Sequence, residues 1–413
     1  MAPVRNALTR PAVKDTAARL LCAAGLPALA RRRHRDVLAI VMFHGVEDHP
    51  LSPPCRHVHG AQLYRRQLEY VRAHFTVLPL EEALTCLAAG TLPPRALAIT
   101  FDDGTRNLMT RALPVLRELN LPAAVFLATG PIGTGATLWP DRLWLAIART
   151  SAVEVDLAAV GLGTRSLDGS SERGAVYVAA VERLKNLGDA ERIAALDQVL
   201  GALGYRDDGD PGPFRMLSWD EAREMAADPL VTLYPHTVTH PILSRCGDDK
   251  VEREIADSCA QLERETGSAP TIFAYPNGRP QDFDARAVDA LRRRGVRWAL
   301  STAPGFADRR CDPLALPRLA VGSGSSFDYF RLMVSGGLPR RRAAAACRAA
   351  EGGWGRLARF FPELLGEVLE GGQGELIVRP PHRGLAHQRA YDGAVLVRQL
   401  DDLVRERMHG RQQ

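Results

Sequence analysis

The chain has 413 residues, 46% apolar and 24% charged, the balance of an ordinary globular protein large enough for one big domain with additions or for two. Its net charge of +5 is spread over interleaved acids and bases, with only two short basic clusters, Arg31 to Arg35 and Arg340 to Arg342, so nucleic acid is not the expected partner. Seven cysteines, odd in number and without C-x-x-C spacing, exclude a disulfide scaffold and a thiolate zinc site of that spacing and fit a reducing, cytoplasmic setting.

In chain order, residues 1–36 read as an N-terminal helical segment. Ala17 to Ala30 is apolar apart from Arg19, too short and interrupted for a membrane span, and is expected as an amphipathic helix lying at the periphery of a membrane. Short apolar runs then recur at Val37 to Phe43, Ala96 to Thr100, Ala123 to Ala128, Leu230 to Tyr234, Thr271 to Ala274 and Val296 to Leu300. Each is followed by a polar loop and a segment of helical period, among them Leu63 to Phe75, Asn107 to Leu119 and Val251 to Thr266. Continuous apolar strands alternating with helices predict an α/β fold, a parallel sheet covered on both faces, either doubly wound or closed as a (β/α) barrel. The rhythm breaks at about residues 150–213, an expected insertion carrying two polar helices, Ala175 to Leu187 and Ala190 to Leu203. Residues 339–413 read as a helical C-terminal extension, with Glu375 to Val378 a candidate last strand.

In parallel α/β folds ligands bind beyond the carboxyl ends of the strands, where the loops converge. Four polar clusters fall on that face: His44-Gly45, Asp102-Asp103-Gly104, His236 to His240, and Tyr275-Pro276-Asn277-Gly278. Two adjacent Asp before Gly are usually a turn or a helix cap. Adding two His four residues apart changes the balance, because one Asp and two His form a familiar oxygen and nitrogen set for a divalent metal with open positions left over. His236 and His240 are expected to project to one side of a helical turn stiffened by Pro235 and Pro241.

These residues resemble the metal-dependent polysaccharide deacetylases, the NodB-homology or carbohydrate esterase family 4 enzymes. The resemblance rests on Thr100 to Gly104 (T-F-D-D-G), on His236-Thr-Val-Thr-His240, and on Phe273 to Gly278, in that order, with Val41 to His44 and Leu316-Pro317-Arg318 as further matches, and it spans residues 37–322. It implies a distorted (β/α) barrel over residues 37–338 and hydrolysis of N-acetyl groups on the amino sugars of a polysaccharide, lipid-linked saccharide or glycolipid. It further implies a divalent metal, usually zinc and sometimes cobalt, nickel or manganese. Carried over, Asp103, His236 and His240 are the metal ligands, Asp102 is the general base that takes a proton from the attacking water, and the backbone N–H of Tyr275 helps hold the oxyanion. The Arg that often opens the third motif is replaced by Thr271 and Ile272, with Arg318 as its substitute. Tyr234-Pro235 stand where a small residue often precedes the first His, which would narrow the site or shift that loop. The general acid has no clean match; His382 is the nearest candidate and His44 the alternative. A hydrolase of a non-sugar amide, or a barrel that binds carbohydrate without turnover, remain the other readings.

Overall fold

The computed structural model describes residues 10–207 and 209–338. These all belong to the first of the two units into which the chain divides, Met1–Leu357 and Ala358–Gln413. The expected extension, its candidate strand Glu375 to Val378 and His382 lie outside the described residues.

Eight strands build the main sheet: β1 (Ala39–Phe43), β2 (Thr76–Val77), β3 (Ala96–Phe101), β4 (Ala123–Leu127), β5 (Val231–Pro235), β6 (Ile272–Ala274), β7 (Trp298–Pro304) and β8 (Leu316–Ala320). Their order is β6-β7-β8-β1-β3-β4-β5, with β2 paired to the start of β3, and every pairing is parallel. The two end strands approach each other, and His236, the residue after β5, reaches across to the carbonyl of Ala274 in β6, Nδ1 to O 2.7 Å. The result is a nearly closed, distorted (β/α) barrel.

The strands read as unbroken apolar runs because both faces are covered: β1, β3 and β4 are buried at every residue. One alternating set (Ile40, Ala98, Phe126, Tyr234, Ala274, Leu300, Leu316) shares a core from opposite sides of the sheet and is the barrel interior, closed by helix Leu80–Ala89. The other set (Val41, Ile99, Val125) packs outward on helices Ala61–His74, Leu113–Leu119 and Phe327–Ser335. Burying each such side chain is worth about 1.5–3 kcal/mol.

Four features differ from expectation. The helix after Asp-Asp-Gly opens as a π turn, Leu108–Ala112, in which Leu113 N donates to Leu108 O. Pro114, with no N–H and a ring that pushes on the carbonyl four residues back, accounts for the widened turn. Strand β8 is hidden by Pro317, which is tolerated beside a register shift between Leu300 and Pro304.

Helix Trp139–Arg149 precedes the expected insertion and leads into its hairpin (Glu154–Asp156 with Thr164–Ser166) and helices Ser170–Lys185 and Asp189–Ala202. These share a hydrophobic core centred on Leu143, Leu157, Leu184 and Phe214, to which Cys55, Val58 and Ile242 also contribute. At the N-terminus, helices Arg10–Ala23 and Leu26–Arg33 form. They replace the single expected helix, Ala18 and Cys22 pack on Leu332 of helix Phe327–Ser335, and among the described residues Leu21 and Leu29 are the segment's exposed large apolar side chains. No described helix is long and apolar enough to cross a membrane.

Candidate metal centre

Asp102 and Asp103 leave the carboxyl end of β3, and the backbone must turn sharply to separate them. Asp103 has φ 78° and Gly104 φ 89°, both left-handed. Only glycine fits at 104, where an added Cβ would stand 2.6 Å from Leu127 Cδ2. The turn sends the two carboxylates to different partners.

Asp102 is bound by Arg318 through two bonds, Nη1 to Oδ1 at 2.7 Å and Nη2 to Oδ2 at 2.8 Å. Arg318, from β8, is fully buried, and its Nε donates to Ser301 O at 2.9 Å. Burial alone would raise the Asp102 pKa, but the Arg318 charge and its hydrogen bonds outweigh it and hold the carboxyl at about 2. Asp102 is therefore ionised, with lone pairs left to accept a proton, though a weaker base than a free carboxylate. The positions expected to carry an Arg are otherwise occupied: Thr271 donates to Glu81 and Ile272 is in the barrel core.

Asp103 meets the two histidines. His240 Nε2 lies 3.4 Å and His236 Nε2 3.7 Å from its Oδ1, and the three ligand atoms fall within 4.8 Å of one another. A tetrahedral ion with ligands at about 2.0–2.2 Å sets its ligand atoms about 3.3–3.6 Å apart, close to this spacing. Asp103 Oδ1 is buried without a hydrogen-bond partner, which a cation would supply. Burial, then Asp141 and Asp102, push the Asp103 carboxyl up to about 8, so without a cation it keeps its proton at neutral pH, and positive charge brought beside it would favour the ionised form. His236 is turned by its bond to Ala274 O so that Nε2 faces Asp103. Burial lowers the pKa of both His236 and His240, keeping the rings neutral as ligands require.

The loop from His236 to His240 is not the expected helical turn. Thr237 (φ 68°) and His240 (φ 55°) are left-handed, and the loop is held from outside. Glu254, buried on helix Asp248–Thr266, accepts from Val238 N and Thr239 N at 2.8 Å each and from the Thr239 hydroxyl. Trp139 Nε1 donates to His240 O at 3.1 Å, and Gly130 N to Val238 O at 2.9 Å. A Cβ at Gly130 would stand 2.7 Å from that carbonyl, so the two loops approach only because residue 130 is glycine. Since Glu254 fixes both histidines through their loop, Glu254→Gln is expected to weaken metal affinity by about 10- to 100-fold while leaving the fold intact, measured by chelator competition.

Two expected roles move. Tyr275 N donates to Leu300 O at 3.1 Å and is spent in the sheet, so it is not a free oxyanion donor; the ring is buried on Phe283 and its hydroxyl donates to Leu314 O. Tyr234 does not narrow the site: it points into the barrel, stacked on Phe126. His44 does stand at the end of β1, with a buried Nδ1 that has no partner. Beside it, 5.9 Å between ring centroids, is His57, bonded to the buried Asp141 at 2.9 Å. Sequence reasoning missed His57, Asp141 and Glu254. Asp141 follows Trp139-Pro140 and reads as a first-turn acid, Glu254 is one of many charges on its helix, and His57 lies in a loop without periodicity.

A nearly closed parallel barrel with an Asp-His-His set at its carboxyl mouth and a second, Arg-held Asp beside it defines a candidate metallohydrolase architecture. Residues 89–299, just over half of the chain, match the polysaccharide deacetylase family, and the chain belongs to that family. Among curated relatives, the chain is 34% identical over 74 residues to poly-beta-1,6-N-acetyl-D-glucosamine N-deacetylase of Staphylococcus epidermidis, 18% of this chain and 26% of that protein. It is 28% identical over 114 residues to the putative polysaccharide deacetylase YxkH of Bacillus subtilis, 28% of this chain and 39% of that one. The chain thus spans about a quarter to two fifths of the length of these relatives. Among solved structures it is similar to the Streptococcus pyogenes deacetylase PplD in complex with acetate (TM-score 0.46, 17% identity, 73% of this chain and 99% of that chain). A second is IcaB from Ammonifex degensii (TM-score 0.46, 18% identity, 73% and 97%).

Proposed function

We propose that the protein is a metal-dependent hydrolase that removes N-acetyl groups from the amino sugars of a saccharide. The observation that carries this reading is the division of labour between the twin carboxylates: Asp103, orphaned and buried, faces His236 and His240, while Asp102, ionised by Arg318, stands next to them. Asp103, His236 and His240 would hold a divalent cation, zinc being the ion best suited to one oxygen and two nitrogen ligands, and when bound it supplies Lewis acidity toward the acyl oxygen and toward water. Asp102 accepts the proton that the attacking water loses, and Arg318 fixes the carboxylate so that its remaining lone pairs face the site. A pure binding site would need no ionised carboxylate in that place. The relatives named as deacetylases of poly-beta-1,6-N-acetyl-D-glucosamine support a β-linked N-acetylglucosamine polymer as the first substrate to try.

The test is acetate release from N-acetylglucosamine oligomers by chelated and metal-reconstituted protein. Release that disappears with chelator and returns with zinc or cobalt is the expected result. No release under any metal from any N-acetylated saccharide, with the metal bound, would sink the reading.

A further inference from the structure

Where the insertion meets the barrel there is a cleft of about 360 Å³, inside the span of about 300–1,000 Å³ that small-molecule sites occupy. Its walls come from the loop after β4, helix Trp139–Arg149, helix Asp189–Ala202 and Lys250 near the start of helix Asp248–Thr266. Thr239 lines it too, but Asp102, Asp103, His236 and His240 do not, so the cleft is separate from the candidate metal centre.

The lining divides by chemistry. Pro131, Leu138, Ile193 and Leu196 form an aliphatic wall, in which Ile193 is 44% exposed, a large apolar side chain the fold leaves uncovered. Arg142, Arg192 and Lys250 supply charge, and among the described residues no acid lines the cleft. The acids that hold these bases lie outside the lining. Asp189 is 2.6 Å from both Arg192 Nη2 and Lys250 Nζ, and Asp207 is 2.6 Å and Asp197 3.8 Å from Arg142 Nη2. These pairs orient the bases without using all their donors. Arg192 is 3% exposed, yet its Nε has no hydrogen-bond partner, and a buried N–H without an acceptor is costly.

We propose that the cleft binds an amphipathic anion, a phosphate or carboxylate head on an aliphatic chain. The head pairs with Arg192 and Lys250, giving the orphaned Nε an acceptor, and the chain lies along Ile193 and Leu196. A bare anion would leave the aliphatic wall in water, and an uncharged lipid would cover the bases without pairing them, so the two halves of the lining call for the two halves of the ligand. A sugar ring fits less well. Trp139, the aromatic side chain of the lining, already carries the Arg192 guanidinium 4.9 Å from its ring centroid, and its Nε1 is spent on His240 O. The inference does not depend on the hydrolase reading.

Isothermal titration of the full-length protein with octyl phosphate and with nonanoate, each below its micelle concentration, tests it. Saturable binding of one molecule per chain is expected for at least one of them, and the head that binds more tightly separates a lipid phosphate from a fatty acid as the source. Each methylene added between hexyl and octyl should tighten binding by about three- to fourfold. Octyl glucoside and inorganic phosphate should each bind at least tenfold more weakly. Two substitutions at exposed lining positions leave the core untouched: Ile193→Glu, which sets a like charge beside the head, and Ala136→Trp, which fills the space of the chain. Each should weaken binding at least tenfold with the unfolding temperature unchanged. No saturable binding of either amphiphile, octyl glucoside bound as tightly as octyl phosphate, or affinity unchanged in both variants would overturn the proposal.

Discussion

Arg318→Met is expected to destabilise the fold by about 3–5 kcal/mol and to abolish hydrolysis, because it leaves a buried carboxylate without its counter-charge. The pair is 0% and 3% exposed, so water cannot replace the guanidinium. The variant should relieve the strain by protonating Asp102, which also removes the proposed acceptor of the water proton. The pH dependence follows. In the wild type the folded Asp102 pKa, about 2, lies below the ordinary 3.8, so the pairing stabilises the fold fully above that ordinary value and is lost as pH falls toward 2. In Arg318→Met this acid-sensitive contribution should vanish. Arg318→Lys should rescue only in part, since a point charge cannot engage both oxygens and Ser301 O together. Urea unfolding of Arg318→Met, Asp102→Asn and the double variant checks the account. The double variant should cost less than the two singles combined, and strictly additive losses would refute a coupled buried pair.

Much of the barrel is legible in the amino-acid sequence, for a physical reason. Strands buried on both faces must be continuous apolar runs, and the six expected runs correspond to β1, β3, β4, β5, β6 and β7, most of them displaced by one or two residues at their ends. The elements that escape are those in which local rules conflict with tertiary context. Strand β8 contains a proline that a ladder ordinarily rejects, and β2 is two residues long. The packing of Trp139–Arg149 with the expected insertion is hidden because this helix has the pattern of any barrel helix, whereas its partners, Leu184 and Phe214, are contributed by later segments. At the site, Asp103, His236 and His240 are legible because the proposed metal ligation constrains residue type and spacing. Their loop geometry is not, since two left-handed residues other than glycine leave no signature in composition. Nor are Glu254 and Asp141, whose roles depend on contacts across long stretches of chain.

Asp103→Asn is expected to take metal content from one ion per chain to near zero and activity to background, whereas Asp102→Asn should keep the ion and lose about 10²- to 10⁴-fold in kcat. The distinction has a readout that needs no substrate. In chelated protein the Asp103 pKa is raised to about 8 from an ordinary 3.8, so the folded chain holds a proton there that the unfolded chain has released. That contribution to stability is complete below about 3.8 and is lost as pH rises to about 8, so the metal-free fold should weaken across this window. A bound cation reverses the balance, because it requires the ionised carboxylate and releases the proton on binding. Metal affinity should therefore rise with pH up to about 8, and the gain in unfolding temperature on adding zinc should be larger at pH 8 than at pH 6. Asp103→Asn removes the titrating group itself: its unfolding temperature should be indifferent to zinc and free of the Asp103-dependent decline between those pH values. A zinc response that persists in Asp103→Asn would assign the ion to other ligands, and a pH-independent response in the wild type would show that Asp103 is ionised without it.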